Sequence, residues 1–492
     1  GWPRMKKLSQ NLKENMAELD KMFGASADYY AKEISIYHCR GCIVLFDGMA
    51  SLDSLWELLL DAASRQASPL QPTAEPLTGQ KAYELILNGS AFPAESGPVE
   101  DMPDLIKRLT AGMAVLLLDG CEKGIAFSVQ GLKFRSVDEP SGEGNLRGSR
   151  EGFADLLRVN LSLLRRLIRT GNLVQEVQQA DTETKTEYAI CYCRDLADPA
   201  MVRCVRKILA AAKPELLLDS SYFVPWLLPS RMRVFTPVSY TERPAVAAAK
   251  LCEGRIVVLV NGSPSAMVLP ALFRENFECL DDYASTAVFS SFLRILKYCS
   301  FYLTVFLPGA FVCTAVYLPE LIPPQLLYKI EAAEKATPLP LFAEMLLVML
   351  ILEIIREAGL RMPQSLGHSV SLVSALIIGD AAIATGLMST PVIFVASITA
   401  IAVFVTPSLY EPATLLRLGT VLAAGLAGPV GLMGAFFVFL IGLTNTAALG
   451  VPYLAAHPFP QRPLSEDGII RRSYRTLSKN HFNIWRERRE KS

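Results

Sequence analysis

The chain is 492 residues long, 51% hydrophobic and 20% charged, and its 48 Lys and Arg balance 48 Asp and Glu. That length suits roughly two to four domains, and the zero net charge removes any global case for nucleic-acid binding. The ten scattered cysteines read as reduced buried thiols rather than a disulfide framework, and the four histidines are too dispersed for a histidine metal site or a catalytic triad.

In chain order, Gly1–Asp20 has no apolar h-region of a secretory signal, so the N-terminal part is expected in the cytosol, with Met5 read as the natural start. Residues 7–23 space Leu8, Leu12, Met16 and Leu19 as one helix face. Strand-like runs follow at Glu33–His38 and Cys42–Phe46, then an Asp47-Gly48 turn and a helix over Leu52–Ala63. Ser64–Gly79, rich in Pro, Ser, Gln and Ala, reads as a linker or long loop. Three segments echo one another: Ile43–Gly48 (IVLFDG), Val115–Gly120 (VLLLDG) and Val257–Gly262 (VVLVNG). Each sets a buried strand against an Asp-Gly or Asn-Gly turn, where both central residues tolerate positive φ. Apolar runs at Gly124–Val129 and Ala266–Leu269 make the last two hairpins. The expectation is α/β subdomains with mixed sheets.

Between the second and third echoes, Arg147–Thr170 puts Leu156, Leu157, Leu161, Leu164 and Leu167 on one helical face, with Arg158, Arg165, Arg166 and Arg169 largely off it. Two readings stand: a solvated basic face, or a connecting helix that docks on a neighbouring subunit or on anionic lipid through Arg147, Arg150, Glu151, Arg165 and Arg166. Strands Leu173–Gln179 and Tyr188–Cys193 follow. Helices are expected at Pro199–Ala212, near Ser220–Leu227 and at Ala245–Leu251.

Cys39-Arg-Gly-Cys42, beside His38, is the one redox- or metal-type motif. It falls between two strands rather than opening a helix, and a zinc site needs two further ligands, so plain hairpin cysteines are the favoured reading. No phosphate loop, dinucleotide fingerprint, nucleophile elbow or zincin motif occurs, and Asp281-Asp282 reads as surface charge. Neither an enzyme nor a cofactor is expected.

From Lys297 to Glu466 charges thin out; residues 298–319 and 381–410 carry none. Runs of about 20 uncharged apolar residues are long enough to cross a hydrocarbon core. Leu280–Lys297 leads in as an amphipathic helix, with Val288, Phe289, Phe292, Leu293 and Leu296 opposite Ser290, Ser291, Arg294 and Lys297. Spans are expected at Tyr298–Leu318, Leu341–Ala358, His368–Met388 and Pro391–Tyr410. Leu415–Ala448, broken at Gly428-Pro429, suits two short helices. Glu344, Glu353 and Asp380 are the intramembrane carboxylates, which face a bundle interior or water. On the third span His368, Ser371, Ser374, Ala375, Ile378, Ala382 and Thr385 share a face that suits a water-lined pore or equally close helix packing; Asp380 lies nearly opposite. The tail Gln461–Ser492 holds nine Lys and Arg against four Asp and Glu, so it is expected in the cytosol and the crossings number even.

Several long motifs in order resemble the A-type subunits of the GerA family of spore germination proteins. They are Glu139–Phe153 (EPSGEGNLRGSREGF), Tyr240–Ser265 (YTERPAVAAAKLCEGRIVVLVNGSPS), Glu353–Gly367 (EIIREAGLRMPQSLG), Ile377–Pro391 (IIGDAAIATGLMSTP) and Gly450–Ala456 (GVPYLAA). The resemblance implies a cytosolic α/β N-terminal region of two subdomains, 1–140 and 141–280, followed by a polytopic α-helical membrane bundle, 281–456, and a basic tail, 457–492. It also implies a homo-oligomeric, pentameric ion channel of the inner spore membrane that releases cations early in germination. Implied partners are a transporter-like B-type subunit and a lipoprotein C-type subunit or, in the SpoVAF-like branch, a small membrane partner. The short N-terminus, Asp195–Pro199 and the basic tail look closer to that branch. The family often shows Gln where this chain has Asp380, which bears on ion preference. A non-conducting scaffold and, from the Gly428-Pro429 break, a secondary transporter are the alternatives.

Overall fold

The computed structural model describes residues 7–36, 39–50, 78–88, 96–129, 140, 143–144, 148–228, 234–361, 381–454 and 469–471. Within these the chain forms two compact units, one of 7–228 with 238–270, the other of 234–237 with 271–471.

The first unit holds two five-stranded sheets. In the first sheet β1 (Tyr29–Ile36), β2 (Cys39–Phe46), β3 (Ser96–Val99), β4 (Ala114–Leu118) and β5 (Gly124–Phe127) lie in the order β1-β2-β4-β5-β3. Helices α1 (Leu12–Phe23), α2 (Gly79–Asn88) and α3 (Met102–Thr110) flank it. Side chains alternate along each strand. On β4, Ala114, Leu116 and Leu118 pack with Ala82, Tyr83 and Ile86 of α2. Val115 and Leu117 turn to the other face with Leu19 and Phe23 of α1 and Leu105 and Leu109 of α3. The helix starts are chemically explicit: Asn11 accepts from the Lys13 amide at 3.0 Å, and Asp101 from the Asp104 amide at 2.8 Å.

The second sheet repeats this plan. β6 (Leu173–Gln179), β7 (Glu187–Cys193), β8 (Ser239–Thr241), β9 (Ile256–Val260) and β10 (Ala266–Leu269) lie in the order β6-β7-β9-β10-β8. Counted within each sheet, both orders are 1-2-4-5-3. α4 (Leu157–Leu167) and α7 (Pro244–Cys252) cover one face through Leu161, Leu164, Ala247 and Leu251. α5 (Pro199–Ala211) and the short α6 (Val224–Leu227) complete the set. The echo now sorts itself: VLLLDG and VVLVNG are the equivalent strands β4 and β9, whereas IVLFDG is β2, whose counterpart is β7. Gly48, Gly120 and Gly262 all have positive φ (78°, 79° and 92°), as their turns require.

Two expectations are corrected, and a third is not tested. Among the described residues every pairing between neighbouring strands is antiparallel, so the sheets are not mixed; the crossovers β3–α3–β4 and β8–α7–β9 join like-directed strands that do not pair, because β5 and β10 lie between them. The Leu/Arg-rich helix begins at Leu157, not upstream, and Leu156 is exposed at its N-cap. The anticipated helix Leu52–Ala63 lies outside the described residues.

The second unit is helical. α8 (Leu280–Ala284) precedes α9 (Ala287–Tyr317), in which the lead-in helix and the first expected span form one rod. α10 (Pro324–Glu334) occupies the polar connection. α11 (Leu341–Arg361), α12 (Ala382–Ala384), α13 (Thr390–Val403) and α14 (Tyr410–Asn445) follow. α14 breaks where expected: Gly428 sits at φ 56°, ψ −134°, and Pro429 removes an amide donor. Among the described residues α9 and the Pro407–Asn445 stretch are long and apolar enough to cross a membrane, by length and composition. α9 and α14 approach closely at Gly309, where a Cβ would stand 2.9 Å from the Thr420 carbonyl oxygen.

α9 is inside-out at its start. Its polar stripe is buried, with Ser290 and Arg294 at 0% and 1% exposure, while Val288, Phe289 and Phe292 are 83%, 52% and 59% exposed. A helix in water buries the opposite stripe. On α14, Leu426, Val430, Val438 and Ile441 are likewise exposed.

Candidate functional site

In the helical unit, chemistry gathers on α11. Its Glu353 carboxylate forms an ion pair with Arg417 of α14, accepts a short hydrogen bond from the Tyr410 hydroxyl and a longer one from Thr414 Oγ1 at 3.5 Å, and lies 3.7 Å from Arg356. Arg356 spans one helical turn from Glu353 and stacks over the Tyr410 ring. Arg417 is 2% exposed at its side chain. One carboxylate thus sits between two guanidiniums and ties α11 to α14. One turn into α11, Glu344 is fully buried and accepts from the backbone amide of Ser389, the N-cap of α13. That carboxylate caps a second helix, the charge a helix N-terminus favours. So of the three anticipated intramembrane carboxylates, Glu344 is a buried tie and Glu353 a partly exposed tie between helices, and Asp380 lies outside the described residues.

The expected pore face is described only at its end. His368, Ser371, Ser374, Ala375 and Ile378 lie outside the described residues. Ala382 is half-buried and packs toward α11 and α13. Thr385 is exposed, and its hydroxyl donates to the Ala381 carbonyl at 2.8 Å. The helix ends at Ala384 and turns at Gly386 (φ 65°), four residues short of the anticipated Met388 end.

At the root of α9, Asp282 is wholly buried and takes Arg294 Nε at 3.0 Å, with Lys297 Nζ at 3.8 Å. The reading of Asp281-Asp282 as surface charge is therefore corrected at Asp282: the fold lays α8 against the polar stripe of α9. Arg471, 4% exposed, joins them by donating to the carbonyls of Asp282 and Ser285.

In the first unit the anticipated docking residues separate. Arg165 is fully buried and grips Asp28 with two prongs, Nε–Oδ2 at 2.7 Å and Nη2–Oδ1 at 3.0 Å. Ser26 Oγ and the carbonyls of Thr170 and Leu173 complete its shell, and the Phe46 ring stacks on it at 4.6 Å. It joins α4 to the entry of β1 and is removed from any docking face. Arg166 pairs with Glu151 at partial exposure, Arg150 is exposed, and Arg147 lies outside the described residues. A site the sequence did not point to is Arg243, the N-cap of α7 and 1% exposed. Its guanidinium donates to the carbonyls of Glu143 and, at 2.7 Å, Ser149, while Thr241 Oγ1 donates to Glu143 Oε2 at 3.0 Å. Two separate sequence motifs are thereby fastened together. Burial pushes the Glu143 carboxyl above its ordinary value, against the hydrogen bond from Thr241 and the charge of Arg243.

The Cys39-x-x-Cys42 motif does not converge. Cys39 packs with the α2 face of the first sheet and Cys42 with the α1 and α3 face, as odd spacing on a strand demands. Among the described residues no group of His, Cys, Asp and Glu could hold a metal ion.

A family model described as Bacillus/Clostridium GerA spore germination protein matches residues 17–481. The chain is 31% identical over 468 residues to spore germination protein KA of Bacillus subtilis (strain 168), covering 94% of this chain and 84% of that one. It is 29% identical to the membrane protein YfkQ of the same organism, covering 96% and 91%. It is 30% identical to stage V sporulation protein AF, again of Bacillus subtilis, covering 75% of each. Among solved structures, the crystal structure of the N-terminal domain of the A subunit of the Bacillus megaterium spore germinant receptor GerK3 aligns at 25% identity and TM-score 0.43, covering 55% of this chain and 99% of that one.

Proposed function

The chain belongs to the GerA family of Bacillus/Clostridium spore germination proteins, and on that premise we propose that it is an A-type germination subunit that forms an oligomeric, cation-conducting channel in the inner spore membrane. One observation carries the membrane part of this reading: only 17% of the most apolar stretch of Pro407–Asn445 is covered by the rest of the chain, while the charged side chain of Arg417 on the same helix is buried. Apolar outside and charged inside is the arrangement that lipid stabilises and water does not.

In this reading α9, α11, the 368–388 segment, α13 and the two halves of α14 make an even-crossing bundle with the first unit and the tail on the cytosolic side. His368, Ser371, Ser374, Ala375, Ile378, Ala382 and Thr385 line the conduction path, with Asp380 setting ion preference. Self-association, as a pentamer, completes the pore. B-type and C-type subunits or a small membrane partner assemble around it, and Arg150, Glu151 and Arg166 belong to a docking face. The subdomain boundary near residue 140 and the membrane boundary near 280 are part of the same proposal.

The test is cation flux from proteoliposomes holding the purified full chain. Flux that is changed by Ser371→Ala, Ile378→Ala and Asp380→Asn supports the channel. Absence of flux with all of these variants, in protein whose folding is verified, overturns it in favour of a non-conducting scaffold. Flux that saturates with substrate and requires a counter-ion gradient points instead to a transporter.

A further inference from the structure

The two thiols at one corner of the second sheet take no part in the function proposed above. Cys193 is the last residue of β7 and Cys252 the last residue of α7. α7 packs on the sheet so that Ala247, Ala248 and Leu251 share a core cluster with Cys193. The helix axis therefore delivers its final side chain to the end of the strand, where Tyr192 pairs with Ile256 just past the turn that follows Cys252, and each thiol is the leading influence on the other's ionisation. Their exposures are opposite: Cys193 is buried and Cys252 is open to solvent. We propose that Cys193 and Cys252 form a peroxide-oxidisable dithiol, Cys252 the reacting sulfur and Cys193 the resolving one, whose disulfide fastens the end of α7 to the end of β7.

The surroundings suit that division of labour. The Cys193 thiol lowers the Cys252 pKa to about 7 against the opposing effects of burial and of Glu253. The same pairing, with burial, holds Cys193 in its thiol form, while Arg165 and Cys191 are its other charged or titratable neighbours. Cys39, Cys42, Cys121 and Cys191 are raised by burial and are poor nucleophiles. In the first step the Cys252 thiolate attacks hydrogen peroxide: an S–O bond forms, the O–O bond breaks, and hydroxide leaves to take up a proton as water. In the second step Cys193 loses its proton and its sulfur attacks the Cys252 sulfur. An S–S bond forms, the S–O bond breaks, and hydroxide leaves with that proton as a second water. Two thiols are oxidised to one disulfide while one peroxide is reduced to two waters.

α7 carries Arg243 at its other end, so the disulfide and the guanidinium's bonds to Glu143 and Ser149 hold opposite ends of one helix. Oxidation thus stiffens the mount of those two residues.

The experiment treats the full chain in detergent with substoichiometric hydrogen peroxide, blocks remaining thiols and maps peptides without reduction. The expected result is a Cys193–Cys252 linked peptide, lighter by two hydrogens and reversed by dithiothreitol, forming about ten-fold faster than oxidation of the exposed Cys204. Its rate rises through about pH 7 with ionisation of Cys252. Cys193→Ser should leave a sulfenic acid on Cys252 that dimedone traps, which keeps the proposal testable even if Cys252→Ser folds poorly. The proposal is overturned if Cys204 oxidises as fast as Cys252, if the link forms equally fast in urea, or if Cys193 is found linked to another cysteine. None of these outcomes bears on ion flux, so the channel reading stands or falls separately.

Discussion

Arg165 and Asp28 are 137 residues apart in the chain and meet in a two-pronged ion pair that is 0% and 5% exposed. The pair joins the helix that covers the second sheet to the entry of the first. Breaking one partner leaves the other charge buried and uncompensated, at a cost of about 3–5 kcal/mol. Arg165→Met and Asp28→Asn are each expected to destabilise the first unit by that order in urea unfolding of the full chain. Arg165→Lys should recover only part, because an ammonium cannot bridge both oxygens. The double variant Arg165→Met/Asp28→Asn should cost clearly less than the sum; strict additivity would refute a direct coupling.

The Glu353–Arg417 tie should behave likewise in the helical unit. Glu353→Gln leaves Arg417 buried without its carboxylate, and thermal unfolding in detergent is expected to fall well below that of Glu357→Gln, whose partner Arg361 is exposed. Glu353→Gln/Arg417→Met should regain stability over Glu353→Gln alone. Equal effects at positions 353 and 357 would show that the buried knot contributes nothing special.

Gly428→Ala tests the break in α14. A Cβ there would stand 2.8 Å from the Tyr317 ring, on a backbone at φ 56° that side chains rarely adopt. Backbone strain alone is worth about 1–3 kcal/mol. Tyr317→Ala should relieve the ring clash but not the strain, so the double variant is expected to be improved and still below wild type. Full restoration would mean that the backbone at 428 is not strained.

The pH dependence of the first unit should carry the signature of Glu143. Its folded pKa is raised, chiefly by burial, above the ordinary 4.5. A raised carboxyl stabilises the fold below its unfolded pKa, and that contribution is lost as pH rises through the folded value. Glu143→Gln cannot ionise. Its urea midpoint is therefore expected to gain on wild type as pH climbs from about 4.5 toward neutrality, where parallel curves would exclude the effect.

Much of the first unit was readable in advance because strands and helices there obey periodicity. Leu173–Gln179 is a strand over the expected residues, and the glycines of the three Asp-Gly and Asn-Gly turns all sit at positive φ. What periodicity could not supply was partner choice. Arg165 looked like one of four surface arginines, since a helix-face argument ranks residues by their own neighbours and cannot see Asp28. Asp282 looked exposed because acidic pairs generally are, and only the packing of α8 on α9 hides it. Arg243 and Arg417 offered one signal that could have been used: single arginines beside apolar runs, with no charged neighbour at helical spacing that faces them.

The sequence by itself determined which residues are apolar, where the turns fall and where α14 must break, because these follow from side-chain chemistry and backbone sterics acting over a few residues. It also carried the family motifs. Only the tertiary structure decided that the two sheets share one strand order, that Cys39 and Cys42 face apart, that Cys193 and Cys252 face together, and that α9 buries its polar side. Those outcomes depend on which distant segments pack, and the free energy of a buried charge or thiol is set by its partner, not by its position in the chain.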